Sequence, residues 1–156
     1  MSAQPAQNSP STDLVHIRIP LEDDDIRCEY VWAESLGGDC YRIANVPFFA
    51  HDLGVHDVVI ALPVDGDLEL VEVVEQRCVA SFNYELDPEV DEQVFFAEAR
   101  GTGAMTERLA QRCFTTDLHD PDCADRFEAI LRDRCRWFER FDGDGRLVRE
   151  HGDVVA

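Results

Sequence analysis

Asp120–Asp142 reads DPDCADRFEAILRDRCRWFERFD. Asp120 followed by Pro121 is an N-cap signal with proline at the first helical position. Beyond it Phe127, Ile130, Leu131, Cys135, Phe138 and Phe141 recur at helical spacing, which predicts one long helix to about Phe141, stopped by Asp142-Gly143-Asp144-Gly145. Just upstream, Gly101-Thr102-Gly103 leads into a shorter expected helix with Met105, Leu109, Cys113 and Phe114 on one side. A tail strand around Leu147-Val148 follows.

Ahead of residue 101 the periods are those of strands. Val15, Ile17, Ile19 and Leu21 alternate with His16, Arg18 and Pro20, the pattern of a half-buried strand. The run Glu22-Asp23-Asp24-Asp25 ends it, because like charges prefer water. CEYVWAESL reads as either strand or short helix, and Gly37-Gly38-Asp39 turns the chain into CYRIANV. VVIALPV is an apolar run of buried-strand length, Asp65-Gly66 is a hairpin signal, and LELVEVV pairs back on it. The alternation changes parity near Val73-Val74, which predicts a bulge. Cys78, Ala80, Phe82, Tyr84 and Leu86 then alternate cleanly, and after the acidic loop DPEVDE the segment QVFFAEA reads as a further strand.

Strands first and helices second predict an α+β protein. The expected architecture is an antiparallel, strongly curved or barrel-like β-sheet over residues 14–100, two helices over 101–141 and a short C-terminal strand within 145–156. One domain spans 14–156. Residues 1–13, polar and rich in Ser, Pro and Gln, are expected to be a disordered tail.

The 156 residues carry 33 acidic side chains against 14 basic ones, all arginine, for a net charge of −19. Residues 1–100 hold a net charge of −16, from 21 acidic residues and 5 arginines. Such a surface repels nucleic acid and anionic lipid and speeds encounter with a basic protein. With neither a basic start nor an apolar run at the N-terminus, and no stretch of the roughly 20 apolar residues that a membrane span needs, the expected location is the cytoplasm. There the six cysteines, none in a Cys-x-x-Cys pair, are expected to be reduced thiols.

Asn45–Ala61, NVPFFAHDLGVHDVVIA, is the most distinctive segment. Pro47 biases Val46 to an extended form, so Phe48 and Phe49 point in roughly opposite directions and one ring can enter the core while the other faces out. The Trp32 segment, Tyr41, Asn45, Val46, Pro47 and Phe48, then Gly54, Asp57, Val58 and Val59, resemble an uncharacterised bacterial family, domain of unknown function 4265, over about residues 15–77. The resemblance implies a bacterial origin and no particular activity.

His51, Asp52, His56 and Asp57 share a loop and are of metal-ligating types, but in no recognised metal spacing. Asp57 at a strand entry also suits turn amides. His119 and Cys123 are four apart across a helix start that the N-cap already explains. FDGDGRLVRE places Arg146 where a calcium loop needs an oxygen, which excludes that reading. Neither Gly-x-Ser-x-Gly nor a phosphate-cradling glycine loop occurs.

These features lead to a non-catalytic binding protein that takes no cofactor and docks a basic protein partner. Its most concrete form is an inhibitor or immunity protein occluding a toxin enzyme such as a nuclease. Asp23, Asp24, Asp25, Glu89, Asp91 and Glu92 would steer, and Trp32 or Phe49 would anchor. The competing class is a small metal- or ligand-binding enzyme using His51, His56 and Asp57. A third is a module that self-associates through an edge strand.

Overall fold

The computed structural model describes residues 13–152. The expected tail lies almost wholly outside the described residues, as does the end of the expected tail strand. Five strands form the first sheet: β1 Leu14–Pro20, β2 Cys28–Gly37, β3 Cys40–Ile43, β4 Val58–Val64 and β5 Asp67–Glu75. They pair in sequence order, all antiparallel, until β1 meets β5 in parallel at Ile17↔Leu68 and Arg18↔Glu69 and closes the ring. Inward positions carry Ile17, Ile19, Val31, Ala33, Tyr41, Ile43, Val59 and Ala61, a small core of branched and aromatic side chains. The strongly curved sheet expected from the sequence is this ring. Asp65 and Gly66 adopt φ of 53° and 89°, the paired positive angles of a tight hairpin. The expected bulge is present as well: Val59 pairs with Val73 and Val58 with Glu75, which leaves Val74 unpaired and bends β5.

Seven further elements follow: β6 Ala80–Leu86, α1 Glu92–Arg100, β7 Met105–Ala110, β8 Cys113–Leu118, α2 Pro121–Arg134, β9 Cys135–Asp142 and β10 Leu147–Gly152. The second sheet has the order β10-β9-β6-β8-β7. Its β6-α1-β7-β8-α2-β9 portion is a split βαβ arrangement. Both helices lie on one face, where Phe95 and Ala99 of α1 and Ala124, Phe127 and Leu131 of α2 pack on Phe82, Tyr84, Phe114, Leu118 and Phe138.

The α+β class, the two helices and the closing C-terminal strand are as expected, but the helices stand elsewhere in the chain. QVFFAEA, read as a strand, is α1: Asp91 caps it by accepting from Gln93 N and Val94 N, and Phe95 and Ala99, four apart, share its buried face. The shorter helix expected after Gly103 is instead the β7–β8 hairpin. Met105 and Leu109 stay exposed, Arg112 turns the chain at φ 65°, and Phe114, Thr116 and Leu118 face the helices. The long helix ends at Arg134, not Phe141. Cys135 is already extended (φ −108°, ψ 145°), and the segment becomes β9 because β6 offers it an unpaired edge from Leu86 to Ala80. Asp142-Gly143-Asp144-Gly145 thus turns a hairpin, with Asp142 Oδ1 accepting from Asp144 N and Arg146 N.

No helix among the described residues is long and apolar enough to cross a membrane. The six cysteines are free.

Candidate functional site

The connection from β3 to β4, residues 44–57, lies between the ring and the second sheet. Trp32 ties down its start, donating its N–H to Asn45 Oδ1 at 2.7 Å and accepting from Ala44 N at 2.8 Å. Glu29 holds the next turn. Its carboxylate accepts from three successive amides, Phe48 N at 2.6 Å, Phe49 N at 2.9 Å and Ala50 N at 3.0 Å, although only 9% of the residue is exposed. Val46 and Pro47 are buried beneath that turn. Phe48 is half-buried and Phe49 is 41% exposed, their rings edge to face at 6.4 Å, so the second phenylalanine is the one presented to solvent.

Further along, the loop is pinned to the second sheet. Asp57 is fully buried and spends both oxygens on backbone amides: Oδ1 accepts from Arg77 N and Cys78 N, and Oδ2 from Gly54 N. Gly54 passes so close to the next segment that a Cβ there would stand 2.2 Å from Cys78 Cβ. Asp117 accepts from Val55 N at 2.8 Å. His119 Nε2 bonds Val55 O at 2.7 Å and its ring stacks with that of His56. His51 stacks flat on Phe141 at 3.8 Å, and burial lowers its pKa below the ordinary histidine value. His51, His56 and Asp57 therefore each serve a different neighbour, and among the described residues no group of three His, Cys, Asp or Glu side chains converges on a metal position. Cys123 Sγ accepts from Arg126, while His119 is engaged with Val55 and His56.

At the solvent side of the loop lies an open depression of about 640 Å³, lined by Leu21, Glu22, Phe49, His51, Asp52 and Asp144, with Pro20, Ala50 and Gly145 completing it. It adjoins a second of about 580 Å³ lined by Leu21, Glu22, Asp23, Asp24 and Arg27. Phe49 and the acidic run thus meet at one rim, where Asp23 Oδ1 braces the turn by accepting from Asp25 N and Ile26 N. No arginine among the described residues lines the larger depression.

The other expected docking residues do not join this rim. Trp32 stands on the outer wall of the ring, its ring tilted against that of His16 at 3.7 Å. Glu89, Asp91 and Glu92 follow the C-terminal end of β6, whereas the loop packs at its N-terminal end by Cys78 and Ala80. Seven residues of strand, about 20 Å, separate the two ends. Asp91 is occupied as the α1 cap, and Glu92 pairs with Arg108 at 2.7 Å and Arg112 at 3.4 Å. Three contributors were missed from the sequence. Glu29 gave no signal, because the amides it holds lie 19 to 21 positions away. Asp52 reads from the sequence only as a metal-ligating type, and Asp144 only as part of a helix stop and of a calcium loop that Arg146 excludes.

The model of the family named Domain of unknown function (DUF4265) matches residues 29–136. No curated protein matches the sequence. A solved structure, titled as a novel crystal structure of a hypothetical protein from Neisseria gonorrhoeae, is similar with a TM-score of 0.62 at 12% identity, over 79% of this chain and 87% of that one. That likeness concerns the fold alone.

Proposed function

We propose a binding role for this chain, which belongs to the DUF4265 family: its acidic depression receives a basic segment of a protein partner. The observation that carries this reading is Phe49, exposed on the turn that the Glu29 clamp braces, beside Glu22, Asp52 and Asp144, none of which forms an ion pair with a described arginine. A rigid aromatic supplies contact area at small entropic cost, and unpaired carboxylates around it select a cationic partner and raise its rate of encounter. Asp23 and Asp24 on the adjoining rim extend that field, while Glu89, Asp91 and Glu92 contribute only at long range. If the partner is an enzyme with a cationic active site, as a nuclease toxin has, seating the depression on it would block substrate. That is the inhibitor or immunity form of the role.

The test is capture of partners by the tagged protein in a host lysate at low ionic strength, run in parallel with Phe49→Ala and with the combined reversal Glu22→Arg, Asp52→Arg, Asp144→Arg. A basic protein that is released by salt, held by the wild type and lost with both variants supports the reading. A partner retained equally by all three overturns it.

A further inference from the structure

A separate pocket of about 360 Å³ opens between α1 and the β7–β8 hairpin, lined by Phe96, Ala99, Arg100, Ala104, Thr106, Arg108 and Phe114. Its size lies within the range of roughly 300–1,000 Å³ usual for small-molecule sites. In a chain of net charge −19, its lining holds two arginines and no carboxylate. Arg108 lies over the Phe114 ring at 4.7 Å and is steadied by Glu92, which accepts from its Nη2 at 2.7 Å. Arg100, in the last turn of α1, is exposed and makes no ion pair with any described residue. The helix dipole accounts for a cation at that end of α1. It does not account for the second arginine facing the same cavity from the hairpin.

The floor is apolar and aromatic, formed by Phe96, Ala99, Ala104 and Phe114. Thr106 adds a hydroxyl at the end of a hydrogen-bonded chain. Its Oγ1 meets Thr116 Oγ1 at 2.8 Å, which in turn meets the hydroxyl of fully buried Tyr84 at 2.8 Å. When Tyr84 donates to Thr116 and Thr116 to Thr106, the chain of hydroxyls delivers an O–H donor to the cavity. Two guanidinium groups and one hydroxyl around an apolar floor form a recognition set for a carboxylate carried on a small apolar body.

We propose that this pocket binds a small organic monocarboxylate with an aromatic or short aliphatic body, the carboxylate on Arg100 and Arg108 and the body on Phe96 and Phe114. Neither the family nor the acidic depression assigns this site, and the proposal stands apart from the docking role. The probes are phenylacetate and octanoate, with phenylacetamide as a neutral match in shape for the first, titrated into the full chain and followed by amide chemical shifts.

At least one carboxylate should shift Ala104, Thr106 and Arg108 saturably at millimolar concentration, and phenylacetamide should bind at least tenfold more weakly than phenylacetate. Arg100→Gln, which breaks no ion pair, should weaken the carboxylate at least tenfold. Ala104→Leu, which fills the cavity and keeps both arginines, should abolish binding while leaving the remaining amide spectrum in place. Equal binding of phenylacetate and phenylacetamide, saturable shifts confined to other parts of the chain, or no saturable shift with either carboxylate would overturn the assignment.

Discussion

Val55 donates its backbone N–H to Asp117 Oδ2 at 2.8 Å, and so a loop of the ring is fastened to a fully buried carboxyl of the second sheet. The other oxygen, Oδ1, has no hydrogen-bond partner. Burial raises the Asp117 pKa from 3.8 to about 7, the nearby Asp57 adding to it against the bond from Val55. The folded chain therefore holds a proton that the unfolded chain has released, and stability falls as pH rises from about 4 to about 7. Asp117→Asn accepts the Val55 bond without a charge. Its gain over wild type should be larger at pH 8 than at pH 4.5 by on the order of 3 kcal/mol. Urea midpoints of both proteins at the two pH values provide the comparison. Burial lowers His51 and His56, so they oppose this trend, losing stability as pH falls through 6.5, but they are common to both proteins and cancel in the difference. A gain of equal size at both pH values would mean that burial does not perturb Asp117.

Gly54 and Cys78 meet at the same seam with no room for another carbon. A Cβ at position 54 would lie 2.2 Å from Cys78 Cβ and 2.6 Å from its Sγ, and Cys78 is itself buried. Gly54→Ala should cost about 1–3 kcal/mol, the usual penalty for overpacking. Cys78→Ala keeps the offending Cβ and should restore little, whereas Cys78→Gly removes it. A double-mutant cycle should therefore show coupling between Gly54→Ala and Cys78→Gly and much less with Cys78→Ala. Identical coupling in the two cycles would show that the clash is not at Cβ.

The ring was legible because its strands sit half in a core and half in water. Ile17 and Ile19 alternate with less buried neighbours and the Val73-Val74 parity break marks a real bulge, whereas the β2 segment, open between strand and short helix in the sequence, is settled as a strand by its pairing with β1 and β3. The second sheet was not, for a different physical reason. Cys135, Phe138 and Phe141 continue the three- and four-residue spacing of α2, so sequence period alone extends the helix, while the strand they form is settled by β6 alongside it. Met105, Leu109 and Phe114 misled in the same way, two of them lying exposed on a hairpin. At the candidate site Phe49 and the Glu22–Asp25 run could be read from their local chemistry. Asp144 reaches the same rim only because the β9–β10 turn brings Gly145 against Asp52, a juxtaposition that no local pattern records.

Glu29 should separate the shape of the Phe49 turn from its charge. Three amides lose their acceptor in Glu29→Ala, and buried donors without partners are costly, so destabilisation on the order of 2–4 kcal/mol is expected. Glu29→Gln keeps the size but turns an amide group toward N–H donors, and should recover less than half of the loss. Amide exchange at Phe48, Phe49 and Ala50 should quicken in both variants before any change in the second sheet. Uniform quickening across the chain would mean that the clamp is part of the global core and not a local brace for Phe49.

Glu128 of α2 binds the outer strands to the helix layer. Its side chain, 9% exposed, accepts from Arg132 at 2.8 Å, Arg140 at 2.8 Å and Arg149 at 2.8 Å, which come from α2, β9 and β10. Burial pushes its pKa up, but the bonds from Arg140, Arg132 and Arg149 outweigh that and hold it below the ordinary 4.5. The sign is therefore opposite to that of Asp117: the stabilisation is present above 4.5 and is lost as pH falls through the lower folded value. Glu128→Ala would leave Arg140, whose side chain is only 14% exposed, with Asp125 alone. The expected cost is about 3–5 kcal/mol at pH 7. Glu128→Gln should lose part of this and should flatten the fall in stability below pH 4.5, as read from thermal midpoints at pH 3.5 and 7. Because Arg149 lies on β10, limited proteolysis of either variant should cut first in residues 143–152. If Glu128→Ala were as stable as the wild type at pH 7, the arginines would be held by the sheet itself and Glu128 would not be the tie between β10 and α2.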